Sequence, residues 1–267
     1  MIVALSMLLL SDGFSTAAPP AKQDQEPTVI AANASNTQRR SRRRRKPTYK
    51  VTEVVNGGTV EGVVVYQGER PAPRKIQIVK DHETCGRRDT QVPLIRLDDE
   101  GRVAEAVVFL ADISGGKDFP STDEHAIITQ ERCTFHPHVQ TARKKAPVDI
   151  VNSDPVAHNI RADQRVFTLF NILQPTQGMK AEKTFDRPGL VTLKCNVHDW
   201  MKAYVYVFIH PYHQVTGDDG AFKLENVPPG DYQLAVWQEH LGEQTFPVEV
   251  KPGATTSLTL ELQPREK

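Results

Sequence analysis

From residue 51 onward, apolar and polar positions alternate in short runs bounded by glycine and proline. TVEGVVVYQ (59–67), KIQIV (75–79), AVVFLADI (106–113), VDIVN (148–152), LVTLKC (190–195) and AYVYVFI (203–209) each predict a strand. AFKLENV, YQLAVWQ, TFPVEV and TTSLTLEL continue the series, separated by Gly-Asp-Asp-Gly, Pro-Pro-Gly and Pro-Gly-Ala. No amphipathic helical pattern exceeds two turns. Short β-branched runs with this punctuation predict an all-β protein built of sandwiches. The stretch 161–180 (RADQRVFTLFNILQPTQGMK) breaks the series and reads as a long loop. Asp218, Asp219 and Gly220 read as a hairpin turn, with a calcium site as the minor alternative.

The first 50 residues follow a different grammar. MIVALSMLLLSDGFSTAAPPA has an apolar run too short to span a bilayer, followed by small residues where a signal peptidase could cut. Residues 1–21 are therefore expected to be an export signal, although the usual positive n-region is missing. Residues 22–50 lack apolar periodicity and read as a disordered basic linker. Export places the mature chain in the periplasm or at the cell envelope. No later stretch is apolar enough for a transmembrane segment.

Charge sharpens this division. The 267 residues carry 33 Lys+Arg and 33 Asp+Glu, for a formal net charge of zero. Residues 1–46 hold eight basic and three acidic groups, seven of the basic ones in RRSRRRRK (39–46); this leaves 25 basic and 30 acidic, net −5, in the remainder. A mildly acidic body argues against nucleic acid as the partner. With 39% hydrophobic and 25% charged residues, the whole chain has an ordinary globular composition of one or two domains.

The chemistry concentrates in two segments. Cys195-Asn196-Val197-His198-Asp199-Trp200-Met201 has C-x2-H-x2-M spacing straight after the strand LVTLK. Asn152-Ser153-Asp154-Pro155-Val156-Ala157-His158-Asn159-Ile160 places a histidine past the strand VDIV. His158, Cys195, His198 and Met201 supply two imidazoles, a thiolate and a thioether. That set suits one copper ion cycling between Cu(I) and Cu(II) in a trigonal His2Cys site with a weak axial Met. Zinc gains little from a thioether. A c-type haem is excluded because no C-x-x-C-H occurs. His136-Pro137-His138 reads as a strand entry with exposed imidazoles; His210 and His213, flanking Pro211-Tyr212, read as structural residues at a domain junction. Three cysteines leave one unpaired. Export makes a Cys85–Cys133 disulfide plausible, leaving Cys195 free for metal; two buried free thiols are the alternative.

At the C-x2-H-x2-M loop the sequence resembles the cupredoxins, most of all amicyanin, and His158-Asn159-Ile160 resembles the first-ligand loop of plastocyanin and amicyanin. The resemblance covers about residues 120–209. It implies His158, Cys195, His198 and Met201 as copper ligands, with Asn159 bracing the two ligand loops. It also implies that His198 lies on a surface loop as the electron exit edge, with Trp200 and Asp199 as candidate docking residues. A second resemblance, carried by Asp219-Gly220-Ala221-Phe222-Lys223-Leu224 and Pro228-Pro229-Gly230-Asp231-Tyr232, is to the carboxypeptidase regulatory-like (transthyretin-like) sandwich. Its opening strand resembles Gly58–Val65, far upstream.

The expected fold is a cupredoxin-like Greek-key β-sandwich inserted in, or adjacent to, an immunoglobulin/transthyretin-like sandwich. The boundaries are 116–209 for the first unit and 51–115 plus 210–263 for the second. The expected function is electron transfer to an unknown redox partner protein, without enzymatic chemistry. A cell-envelope binding module and a copper carrier without redox shuttling are the alternatives.

Overall fold

The computed structural model describes residues 27–32, 48–86, 89–121 and 125–265. The expected signal, 1–21, and the arginine run, 39–46, lie outside these residues. The chain is all-β. Among the described residues its α-helix is the single turn His82–Cys85, and no helix is long and apolar enough to cross a membrane.

Two pairs of sheets account for most of the strands. In the first pair, one sheet orders Thr28–Ala31, Thr255–Leu262, Gly58–Tyr66 and Ala221–Val227; the other orders His213–Val215, Val107–Leu110, Gly230–Gln238 and Gly242–Val250. Their facing side chains form one core, with Val60, Val64, Phe222, Leu258 and Leu260 meeting Val108, Leu110, Leu234, Val236 and Phe246. In the second pair, a five-stranded sheet orders Val139–Arg143, Lys202–Phe208, Gly189–Lys194, His158–Gln164 and Phe167–Gln174. Facing it is a sheet of Lys180–Thr184, Pro147–Asn152, Ala126–Glu131 and Thr134–His136. Ile128, Ile150, Ile160, Phe185, Val191, Leu193 and Val205 fill the second core.

A third cluster joins the two units. Val107, Phe109, Ala235 and Trp237 project from the far side of the first core and meet Val139, Phe208, Tyr204 and Tyr206. Phe109 and Tyr206 have ring centroids 4.9 Å apart, and Tyr204 and Trp237 5.1 Å. The sheet containing Val107–Leu110 is thus covered on both faces. That is why VVFL is uninterrupted by polar residues and buried throughout.

The structure departs from the sequence reading at several points. Residues 28–31, within the stretch expected to be a disordered linker, form a strand parallel to Leu258–Glu261. Thr28-Val29-Ile30 supplies β-branched residues to an otherwise open sheet edge. The expected loop 161–180 is mostly strand: His158–Gln164 turns through Arg165, at φ 56°, into Phe167–Gln174. Apolar side chains on both faces of that second strand, Phe170 and Ile172 inward and Leu169 and Leu173 outward, mask its period of two. Ile78 and Cys85, allotted to the sandwich 51–115, are buried in the second core instead. The Asp218-Asp219-Gly220 turn does not close a hairpin. It carries the chain from His213–Val215 in one sheet to Ala221–Val227 in the other, and Asp218 pairs with Arg96 at 2.6 Å.

Two histidines sit where the units meet. His213 stacks on Phe208 with centroids 4.1 Å apart and 11° between planes, and both its ring nitrogens are buried without a hydrogen-bond partner among the described residues. Burial lowers His210 to about 4, and burial together with the neighbouring His210 lowers His213 to about 3. Above pH ~6.5 these residues are neutral in both native and unfolded chains. Below it the unfolded chain binds protons that the buried rings do not, so stability falls as pH drops toward these native values. Each tenfold difference in proton affinity is worth about 1.4 kcal/mol. Urea midpoints measured from pH 7 to pH 4 are expected to decline. His213→Phe, which keeps a flat ring on Phe208, is expected to flatten that decline; an unchanged slope would assign the acid sensitivity elsewhere.

Candidate metal centre

Asn152 shapes the loop that delivers the first histidine. Its side chain is fully buried at the end of Pro147–Asn152. Its Nδ2 donates to the carbonyls of Val156 (2.9 Å) and Gln174 (3.0 Å), and its Oδ1 accepts from Asp154 N–H at 2.9 Å. This Asx turn fixes Asp154 four residues before His158. The Asp154 carboxylate accepts from Arg132 N–H (2.7 Å), Cys133 N–H (2.9 Å) and His158 Nε2 (2.7 Å). Arg132 and Cys133 have φ of 49° and 54°, a conformation that bulky residues occupy at a cost. The two hydrogen bonds to Asp154 hold them there.

The second segment closes on itself. Met201 N–H donates to His198 carbonyl at 3.0 Å, and Cys195 N–H to Met201 carbonyl at 3.4 Å. Cys195 Sγ accepts from Asn159 N–H (3.4 Å) and His198 N–H (3.3 Å), which fix where the sulfur lies. Asn159 spans the two segments. Its Oδ1 accepts from Asn196 N–H at 3.2 Å, and its Nδ2 donates to Asn171 Oδ1 and to the Ile172 carbonyl.

His158, Cys195 and His198 converge. One potential ligand atom from each lies within 4.8 Å of the others, and all three residues are buried. The two Nδ1 atoms are 3.0 Å apart, and Cys195 Sγ is 3.9 Å from His198 Nδ1. Met201 is 2% exposed and belongs to the same apolar cluster as Cys195.

The carboxylates decide the tautomers. His158 Nε2 meets Asp154, and His198 Nε2 meets Asp81 Oδ2 at 2.8 Å. A carboxylate accepts only, so each Nε2 carries a proton, and in the neutral imidazoles each Nδ1 presents a lone pair. Two lone pairs facing one another at 3.0 Å in a buried space have no stable arrangement without a cation or a shared proton between them. Burial, and secondarily the facing His198 ring, hold His158 below the ordinary imidazole range against the opposing pull of Asp154. Neutral imidazole is the form that ligates metal. Two nitrogens, one cysteine sulfur and a buried thioether on the same loop as that sulfur fit copper.

The remaining expected site residues fall as follows. His198 is not at a surface edge: it is fully buried, and Asp81 covers its Nε2. Asp199 is exposed; Trp200 is half-buried, its indole donating to the Cys133 carbonyl at 3.2 Å and its ring 5.0 Å from His198. Cys85 and Cys133 are joined in a disulfide, and Cys195 is free. His136 and His138 stay outside this cluster; His138 contacts Glu239 and the Lys202 carbonyl. Sequence reading missed Asp154 and Asp81. The Asp-x-x-x-His spacing at 154–158 was available as a signal. Nothing local connects Asp81 to His198, 117 positions away.

Comparison with known proteins adds the following. The profile of the family described as polysaccharide lyase family 4, domain II, matches residues 188–258. Among solved structures, similarity is found to a purple cupredoxin from Nitrosopumilus maritimus, 24% identical, covering 31% of this chain and 99% of that one with a TM-score of 0.29. A reduced Cu(I) amicyanin is 17% identical, covering 33% and 86%, with a TM-score of 0.29. A copper-containing nitrite reductase from Thermus scotoductus is 19% identical, covering 37% of this chain and 25% of that one, with a TM-score of 0.28. No curated protein matches the sequence.

Asp154→Ala would leave two backbone N–H groups and His158 Nε2–H without their acceptor. Each buried donor left unmet costs about 1–3 kcal/mol. The metal-free variant is therefore expected to unfold at markedly lower urea concentration. Asn, which keeps one acceptor oxygen, is expected to recover part of the loss. A midpoint equal to wild type for Asp154→Ala would show that the loop holds itself by other means.

Proposed function

We propose that this chain is an exported mononuclear blue-copper protein acting in electron transfer, with His158, Cys195, His198 and Met201 as ligands. The observation that carries the proposal is the pair of facing Nδ1 atoms beside the Cys195 sulfur, each imidazole oriented by a carboxylate at its far nitrogen. A bound copper ion would supply a one-electron Cu(II)/Cu(I) couple. The protein supplies the rest. Cys195 Sγ is fixed by the N–H groups of Asn159 and His198, and the Asn159 side chain ties the two segments together, so the ligand set is held rigidly. Ligands that move little between oxidation states keep reorganisation small. The surrounding apolar cluster, including Val197 and Trp200, excludes water. Electron transfer needs no substrate pocket, so we read the chain as a carrier and not an enzyme.

In the same proposal, residues 116–209 form the copper unit as an insertion between the two parts, 51–115 and 210–263, of a sandwich that serves as scaffold or docking body, with Ile78 and Cys85 of the first part packed on the copper unit. Support comes from the strand order: the sheets of the first core draw on residues before 111 and after 212, and those around the ligands on residues 126–208. The redox partner is a protein of the periplasm or cell envelope. The burial of all three potential ligands also supports a second reading, a copper carrier that retains its ion without shuttling electrons.

Copper-loaded protein is expected to show intense thiolate-to-copper absorption toward the red end of the visible range, together with a single Cu(II) electron-spin-resonance signal. Cys195→Ser is expected to abolish the absorption. A colourless Cu(II) complex would overturn the blue-site reading. Reversible reduction with fast electron self-exchange selects the electron carrier; stable Cu(I) binding without reversible oxidation selects the copper carrier.

A further inference from the structure

Residues 78–86 approach the metal centre from outside the strands that carry the ligands. Ile78 and Cys85 are buried in the core beside Cys195 and Met201, and Cys85 is bridged to Cys133. A sulfur of each half-cystine and a nitrogen of His198 lie within 4.8 Å of one another. Asp81 precedes the His82–Cys85 turn with φ 53°. Its carbonyl accepts from Thr84 N–H and Cys85 N–H, while its carboxylate makes no capping bond to that turn and reaches instead to His198 Nε2 at 2.8 Å. The carboxylate remains partly in water, with the Asp81 side chain 37% exposed, while His198 is wholly buried. Trp200 packs against His198 and donates to the carbonyl of Cys133. The second imidazole is therefore enclosed between a disulfide, an indole and a carboxylate.

We propose that residues 78–86 are a cap tethered by the Cys85–Cys133 bridge, in which Asp81 is a positioning residue that fixes the His198 imidazole and shields its outer edge. The inference rests on the copper reading for its consequences, but the clamp itself is a property of the metal-free chain. With Nε2–H given to Asp81, the ring cannot rotate without breaking a charge-assisted hydrogen bond, and Nδ1 stays aimed at His158 and Cys195. Partners of metal-ligating histidines tune both affinity and basicity. A carboxylate at Nε2 makes the imidazole a better donor and favours the more highly charged Cu(II).

The test uses the full chain with Asp81→Ala and Asp81→Asn; Cys85→Ser opens the tether. In metal-free protein, nitrogen NMR of the imidazoles is expected to show His198 as the Nε2–H form, with a slowly exchanging proton that Asp81→Ala makes fast. In copper-loaded protein, Asp81→Ala is expected to weaken Cu(II) affinity by about 10–100-fold. It is also expected to raise the reduction potential and to accelerate one-electron oxidation of the Cu(I) form by hexacyanoferrate(III). A cationic cobalt(III) complex should show the same acceleration, which separates shielding from a charge effect. Asp81→Asn is expected to raise the potential while keeping most of the shielding. Cys85→Ser should accelerate oxidation with Asp81 unchanged. A fast-exchanging His198 Nε2–H in the wild-type chain would overturn the clamp. Oxidation rates and potential unmoved by Asp81→Ala would overturn its role at the metal. Wild type lacking the thiolate-to-copper band while His198 keeps its protected Nε2–H would defeat the copper reading and leave the clamp standing.

Discussion

Burying the carboxylate of Asp154 is the constraint around which the rest of the centre is arranged. The residue is 4% exposed, and a buried charge survives only if its oxygens are engaged. Here the acceptors satisfy three donors at once: the N–H groups of Arg132 and Cys133 and the Nε2–H of His158. The first two hold a turn that neither residue type favours. The third orients an imidazole. Because Cys133 is also half of the disulfide, the same few bonds set where residues 78–86 are anchored, and so where Asp81 meets His198. Its carbonyl takes the Trp200 indole proton, which places the ring beside His198. Both histidines are thus referred to one short hairpin turn that supplies no ligand itself.

The larger architecture keeps this turn in place. The strand Ala126–Glu131 leading into it pairs in parallel with Pro147–Asn152, whose last residue organises the Asp154 loop. The five-stranded sheet opposite contributes His158 at the start of one strand and Cys195 just past the end of its antiparallel neighbour, with Arg161 opposite Lys194. One end of a two-sheet stack therefore gathers Asp154, His158, Cys195 and His198, and the aromatic cluster of Phe109, Trp237, Tyr204 and Tyr206 seats the far side of that sheet on the other sandwich. Fully burying a side chain such as Phe109 contributes about 1.5–3 kcal/mol, and the half-buried Tyr204 and Tyr206 add less each.

What could be read in the sequence was what short-range spacing encodes. Runs such as VDIVN and LVTLKC carry their strand period openly because one face is apolar and the other is not. The C-x2-H-x2-M loop is legible because seven consecutive residues close on themselves through the Cys195–Met201 and Met201–His198 backbone bonds. Phe167–Gln174 was opaque because its outer face is also apolar, with Phe167 and Leu173 each 56% exposed. Thr28–Ala31 was opaque because four residues gain strand structure only from the partner edge they join. Asp81 was opaque for a stronger reason. Its role depends on a chain crossing from one core to the other and on a disulfide spanning 48 positions, and no local pattern reports either.

The two carboxylates also bear on which charge state the centre prefers. With Cys195 as thiolate, the ligands and the residues directly behind them carry three negative charges: one sulfur, Asp154 and Asp81. Asp154 is compensated by backbone N–H dipoles that stay in place whatever the metal does. Asp81 is partly in water, so its field at His198 is weakened but not cancelled. A dication neutralises more of this than a monocation does. The surrounding apolar cluster acts in the opposite sense, because low polarity disfavours net charge of either sign. The Nδ1 atoms facing each other at 3.0 Å add a local term: with both imidazoles neutral, only a cation or a shared proton relieves it. Together with the ligand atoms themselves, what lies one bond behind each imidazole in the proposed site therefore acts on the balance between oxidation states. The fold assembles those groups from three separate stretches of chain, 78–86, 131–134 and 152–158.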